Sequence, residues 1–394
     1  MSLDWFQLSL VELVLLASLL AVFLIQLFYY LYYYRGVLRK SRRVRKGKVT
    51  FGTEHPPVTV LICARNQAES LEKNLPLILE QDYPEFQVVV VNDASSDETE
   101  DLLVRLEQIH PNLYHTFVPP GVQSVSAKKI AMTIGIKAAK YDILLLTEPN
   151  CTPGSNQWIA SMMRHFEPKC EIVLAYSSYT SAKGFLKHLV TYDTLFTALQ
   201  FMGFAEIGRP YMGFGRNLAY RKELFFKNRG FASHLNLKSG EDDLFVEEIA
   251  NKTNTSIEIS PESKILANTT DIWAHWKDLK KNNLATSSYF RPGIRFRKGL
   301  EIVSRLVFYA LSIFLLVFGI LKLNTALIAF SAGLLIIRYI LQLFIMNRSA
   351  KCFDEHKFYL SIPLFDILLP LINLWFRISL MFHKDNSHSW QVLH

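Results

Sequence analysis

Four short runs hold the residues best suited to chemistry. Gly240-Glu241-Asp242-Asp243 sets three acids ahead of an apolar helix (Leu244, Phe245, Ile249), where a carboxylate at the helix start suits a general base. The same acids also suit an N-terminal cap. Ser126-Ala127-Lys128-Lys129 opens a second helix with two lysines, which the helix dipole mildly disfavours unless an anion lies close; a solvated lysine pair is the alternative. Arg65-Asn66 and Asn92-Asp93-Ala94-Ser95-Ser96-Asp97 supply a cation, amides and two further acids, in residue types that also form Asx turns and helix caps.

The elements that position these residues follow from the apolar runs. Val58–Ala64 and Phe86–Val91 are near-continuous apolar strands, the pattern of a parallel sheet covered on both faces. Ligands bind beyond the carboxyl ends of such strands, so Arg65, Asn66, Asp93 and Asp97 are expected to converge. An amphipathic helix from Ser126 to near Lys140 leads to a third strand, Ile143–Thr147, which ends in Glu148-Pro149-Asn150. Gly213-Phe214-Gly215-Arg216-Asn217-Leu218-Ala219-Tyr220 reads as a glycine-rich turn into a short strand. The tryptophans and lysines of Trp273–Asn283 describe an interfacial helix that Tyr289–Lys298 continues into the membrane.

The strand ends and their order along residues 55–245 resemble the family 2 glycosyltransferases. That resemblance implies an α/β fold: a GT-A-type nucleotide-sugar-binding domain with a mostly parallel sheet, here with transmembrane helices at both ends. It implies donor binding by Arg65, Asn66 and Asp93, with Asp93 meeting the nucleotide base, and a diphosphate near Lys128 or Lys129. Gly215 and Asn217 fall on the acceptor side, beneath the sugar. Asp242 becomes the general base that deprotonates the acceptor hydroxyl, with Glu241 as its neighbour. Where the family carries Asp-x-Asp and a divalent cation (Mn²⁺ or Mg²⁺), this chain has Glu148 and Asn150, one negative charge fewer. The Gln-x-x-Arg-Trp of polysaccharide synthases is absent from Trp273–Asn283. The implied reaction is inverting transfer of a sugar from a nucleotide-sugar, a UDP-sugar first among them, to a membrane-associated, lipid-linked or glycan acceptor. Two alternatives stand beside it: an inactive relative serving as a scaffold, and a processive polysaccharide synthase.

Composition sets the frame. Of 394 residues, 50% are hydrophobic and 13% aromatic, enough for one large domain and several spans. Four apolar stretches, Leu8–Tyr34, Ile302–Leu321, Thr325–Met346 and Phe358–Phe382, approach or exceed the ~20 residues that cross a bilayer. They divide the chain into an anchor (1–49), a central domain (50–300) and C-terminal spans (301–394). Arg35 to Lys48 holds eight Lys/Arg and no acid, equal to the whole net charge of +8. Only Asp4 and Glu12 accompany the first apolar stretch, the reverse of a secretory signal, so the positive-inside rule predicts an outer N-terminus and a cytoplasmic central domain. A basic run beside a span points to anionic headgroups, not nucleic acid. The four cysteines and eleven histidines lack metal-site spacing. Arg338 and Asp366 lie within spans and are expected to face protein or water, as a pair or through a fourth segment tilted at Pro363 and Pro370.

Overall fold

A computed structural model describes residues 8–119, 126–180, 184–269 and 271–382; Asp4 and the residues after 382 lie outside that range. The strands, in chain order, are β1 (Val58–Ala64), β2 (Phe86–Asn92), β3 (Leu113–Phe117), β4 (Ile143–Thr147), β5 (Cys151–Pro153), β6 (Ile172–Leu174), β7 (Ser177–Tyr179), β8 (Leu218–Arg221), β9 (Thr255–Ile257) and β10 (Ile265–Ala267). Seven form one sheet in the order β3-β2-β1-β4-β8-β6-β9, and β5-β10-β7 form a smaller one. β1 to β4 run parallel, and β8 runs antiparallel to both β4 and β6. The expected α/β sheet is therefore present, and mostly parallel. Six of the ten strands were not anticipated, β3, β5, β6, β7, β9 and β10; because β3 precedes Ile143–Thr147, that run is the fourth strand and not the third.

Register brings the polar strand ends together. Ala64 pairs with Asn92, so Arg65 and Asp93 leave the sheet side by side. Ile62 pairs with Thr147, so Glu148 emerges at the same edge. Leu146 pairs with Leu218 of the antiparallel β8, which brings Arg216 and Asn217 to that edge from the opposite direction. Chain order turns back between β1 and β4, where open α/β sheets hold ligands.

Among the described residues, four helices are long and apolar enough to cross a membrane: Leu10–Arg45, Pro292–Leu321, Thr325–Cys352 and Ser361–Phe382. The first carries a π-helical turn over Tyr29–Tyr34. Arg338 and Asp366 do pair, at 2.7 Å. Asp366 also meets Arg305 at 3.1 Å and accepts from the Tyr309 hydroxyl at 2.8 Å. Arg305 in turn meets Glu301 at 3.0 Å, and Arg338 donates to Gln26 at 3.0 Å, so one polar cluster links all four helices. The last helix runs unbroken through Pro370, and its pairing accounts for Asp366 without a tilt.

Helix Phe185–Glu206 joins domain and spans. Most of its circumference is buried. Tyr33 stacks on Phe204 with centroids 4.2 Å apart, and Asp193 accepts from Trp276 Nε1 and Lys280 Nζ, each at 2.8 Å. The crossing with the first helix is backbone to backbone: a Cβ on Gly203 would stand 2.3 Å from the Tyr33 carbonyl oxygen, and one on Gly36 2.7 Å from the Gly203 Cα. Only glycine fits either position. Core residues are continuous from β1 to Phe376.

Candidate active site

The nucleoside end is built from the β1 and β2 termini. Asp93 is buried, with Oδ2 3.7 Å from the Arg65 guanidinium. Burial pushes its carboxyl up and Arg65 opposes. Asp93 Oδ2 is buried and has no hydrogen-bond donor among the described residues, where the Arg65 charge is its one partner. Asn66 lies beside it in the left-handed region (φ 51°). Its Oδ1 accepts from the Ser96 amide at 2.7 Å, and its own amide donates to Ser95 Oγ at 2.9 Å. Asp97 Oδ2 accepts from the Ala68 amide at 3.1 Å, and Oδ1 from Thr99 Oγ1 at 2.6 Å. Asn66 and Asp97 thus brace one strand end against the other, while Arg65 and Asp93 face the opening.

The two lysines diverge. Lys129 is fully buried and its ammonium donates to the carbonyls of His234, Leu237 and Ser239 at 2.6–2.9 Å. Burial pulls it down to about 8. It secures the loop that leads into Glu241 and points away from the crevice, which corrects its expected place near a diphosphate. Lys128 enters the crevice, 3.3 Å from Glu148 Oε1 and 3.0 Å from Glu241 Oε1. Despite burial, Glu241, Glu148 and Asp242 hold its ammonium well above the usual lysine value.

Glu148 sits on a turn fastened from outside the motif. Asn74 Nδ2 donates to the Pro149 carbonyl at 3.0 Å, and the Asn268 amide donates to the Asn150 carbonyl at 2.7 Å. Against burial, Lys128, Arg216 and His275 hold the Glu148 carboxyl down at about 2. Asn150 Oδ1 accepts from the Cys151 thiol at 3.7 Å.

Residues on the turn before β8 (Gly215–Asn217) and beyond complete the crevice. Arg216 is 4% exposed, donates through Nε to Ser177 Oγ at 2.7 Å and through Nη1 to Tyr179 Oη at 3.2 Å, and lies over the Tyr179 ring. Its Nη2 has no acceptor among the described residues. His275 meets Tyr179 edge-on, and burial together with Arg216 pulls its imidazole down to about 4, so it is neutral near pH 7. Asn217, expected beneath a sugar, is fully buried and spent on structure: it accepts from Trp158 Nε1 at 3.0 Å and donates to the Tyr176 and Ser263 carbonyls at 2.6 and 2.8 Å.

Asp242 caps helix Asp243–Ile249, Oδ1 accepting from the Asp243 amide at 2.8 Å, and Oδ2 accepts from the Gly215 amide at 3.1 Å. The cap and the candidate base are one side chain. Burial and the neighbouring Glu241 push the Asp242 carboxyl up, toward neutrality where a base works. Gly215 has no room for more: a Cβ there would stand 2.8 Å from Asp242 Oδ2. Asp243, pushed up by burial and by Asp242, accepts from Thr286 Oγ1.

A divalent cation at Glu148 and Asn150 finds a poor donor set. Glu148 is the one carboxylate on that turn, the Lys128 ammonium already occupies the space between it and Glu241, and the described residues contain no cluster of three or more His, Cys, Asp or Glu able to hold a metal. Hard cations need several oxygen ligands. The residues present do not fit the ion.

Sequence reading passed over Asn74, Asn268 and the orientation of His275. The asparagines act through the small sheet, which no local pattern announced; His275 is an ionisable group on a helix read as interfacial.

Residues 18–379 match the glycosyl transferase family 21 profile. The chain belongs to that family. The glycosyltransferase kinship read from residues 55–245 thus extends through the apolar helices on both sides. This family 21 chain is 28% identical over 88 residues to the poly-beta-1,6-N-acetyl-D-glucosamine synthase of Staphylococcus aureus strain COL, 22% of this chain and 20% of that one. A Staphylococcus epidermidis synthase of the same name is 26% identical over the same length. The match therefore spans only about a fifth of either synthase. Mannosyltransferase PcManGT from Pyrobaculum calidifontis, solved in complex with GDP-Man and Mn²⁺, superposes with a TM-score of 0.52 at 19% identity, covering 92% of this chain and 99% of that one. That likeness shows the GT-A fold.

Proposed function

We propose that this protein is a membrane-bound glycosyltransferase that moves a sugar from a nucleotide-sugar to a membrane-associated acceptor with inversion. The observation that carries it is the convergence of three functions at one sheet edge: a carboxylate with an unfilled acceptor on Asp93 for the nucleoside, cations at Lys128 and Arg216 for a diphosphate, and a raised carboxyl on Asp242. In the step, the acceptor oxygen bonds to the anomeric carbon, the bond from that carbon to the diphosphate oxygen breaks, and Asp242 takes the hydroxyl proton. UDP- and GDP-sugars are the first donors to test. No step is routed through a divalent cation, because Glu148 and Asn150 do not supply its ligands.

The mounting of Asp242 supports a membrane acceptor. Its helix is tied to the root of span Pro292–Leu321: Glu247 Oε1 accepts from the Arg291 amide at 2.6 Å, and Thr286 donates to Asp243. A cytoplasmic central domain (about 50–300) is supported by basic flanks on both sides, eight Lys/Arg from Arg35 to Lys48 and seven from Lys277 to Lys298.

A donor screen on the full chain in detergent, reading sugar release and transfer, tests the activity; retention of wild-type turnover by Asp242→Asn would remove the base. For topology, a cysteine introduced at exposed Lys137 should react with a membrane-impermeant maleimide only after permeabilisation. Cys170 is a poor reporter, since burial pushes its thiol up to about 11.

A further inference from the structure

Two protein cations already stand where the crevice gathers its acids: Lys128 lies between Glu148 and Glu241, with Asp242 close by, and Arg216 is buried near Glu148. With a pair of aspartates a divalent cation supplies that positive charge. We infer that Lys128 and Arg216 take the place of that cation, forming a protein-supplied cradle for the diphosphate of the donor, so that this chain binds a nucleoside diphosphate and releases it without a metal ion. The inference rests on the glycosyltransferase reading above.

Geometry supports each part. Lys128 lies 3.3 Å from Glu148, the residue at the metal position of the resemblance, and 3.0 Å from Glu241, which adjoins the candidate base. Two carboxylates therefore hold an ammonium where an ion would sit, and an ammonium is a compact point charge with three donors. Arg216 is held by Ser177 and Tyr179 through two of its nitrogens, leaving Nη2 without an acceptor in a buried position. A buried guanidinium donor left unsatisfied is costly unless a ligand completes it. Neutral His275 beside Arg216 adds no competing charge. As the anomeric bond breaks, its electron pair passes to the β-phosphate oxygen, and the negative charge that develops there meets Lys128 and Arg216. Asn150, which removes one acid from the metal position, fits a site whose cation carries a single charge.

The test is calorimetry with UDP and with GDP on the full chain in detergent, in EDTA and in millimolar Mn²⁺, with bound Mn²⁺ followed by electron paramagnetic resonance. One of the two nucleotides should bind in EDTA within about threefold of its affinity in Mn²⁺, and no tightly held Mn²⁺ signal should appear. In EDTA, Lys128→Gln should weaken binding by about 10- to 100-fold, the size of a lost charge-assisted hydrogen bond, while Lys128→Arg keeps most of it. Should Lys128→Gln fail to fold, the wild-type comparison decides alone. A tenfold or greater tightening by Mn²⁺, or a harmless Lys128→Gln, overturns the inference and leaves the glycosyltransferase reading standing. Failure of both nucleotides to bind under either condition overturns both.

Discussion

Two quartets of charge invite comparison. One lies at the sheet edge (Lys128, Arg216, Glu148, Glu241), the other among the spans (Arg305, Arg338, Glu301, Asp366), and each holds two cations and two anions. They differ in access. In the span quartet no side chain is more than 5% exposed, whereas Lys128 and Glu148 are 26% and 28% exposed. The first can exchange partners with a ligand from water. The second is sealed, and its members pair with one another and with the neighbouring Tyr309 and Gln26. Similar composition thus yields a binding site in one place and a structural rivet in the other, and the surrounding walls decide which.

The contrast is most easily broken at Asp366. Asp366→Ala strands two buried arginines and should cost about 3–5 kcal/mol, read as a large fall in thermal midpoint in detergent; Glu148→Gln should cost less than about 1 kcal/mol, as for an exposed pair. Equal costs would dissolve the distinction. Next in size, Asp242→Asn should lower turnover about 100-fold, roughly 2.7 kcal/mol, with nucleotide binding little changed. The pH profile sharpens that result. Because the folded Asp242 carboxyl is raised, the acid limb of the rate should lie above the ordinary aspartate value of about 3.9. By linkage, the ionised group should cost stability as pH rises through that raised value. Asp242→Asn should abolish both dependences. Smallest, Gly215→Ala crowds Asp242 Oδ2 and should reduce turnover roughly tenfold, since misplacing a catalytic group by under an ångström is felt that strongly.

What could be read in advance depended on how local each cause was. β1 and β2 were legible because a doubly covered strand is a continuous apolar run, and β4 for the same reason. β3 was not: Leu113-Tyr114-His115-Thr116-Phe117 lies at the sheet edge with Tyr114 and Phe117 exposed, so no such run forms. The choice between Lys128 and Lys129 is a rotation of about 100° around a helix, settled only by the His234–Ser239 loop packed beside it. Asn217 sits in a recognisable motif, yet its amide serves Tyr176 and Ser263, partners that only the fold brings near. Arg338 and Asp366 announced themselves by their cost in lipid, but Arg305, the third member, lay near the start of a span where a basic residue draws no notice.

The glycine crossing at Gly36 and Gly203 has a mechanical consequence. A joint with no gap has no play. The packing leaves little room for the domain to swing there, and with the helix of Asp242 also tied to Arg291, the tilt of these helices in a bilayer would set the height of Asp242 above the headgroups. Tilt follows hydrocarbon thickness. On the proposed reading, lipids of longer or shorter acyl chain should therefore raise or lower Asp242 relative to the surface from which a membrane acceptor would come, and the bilayer would tune turnover without touching the crevice.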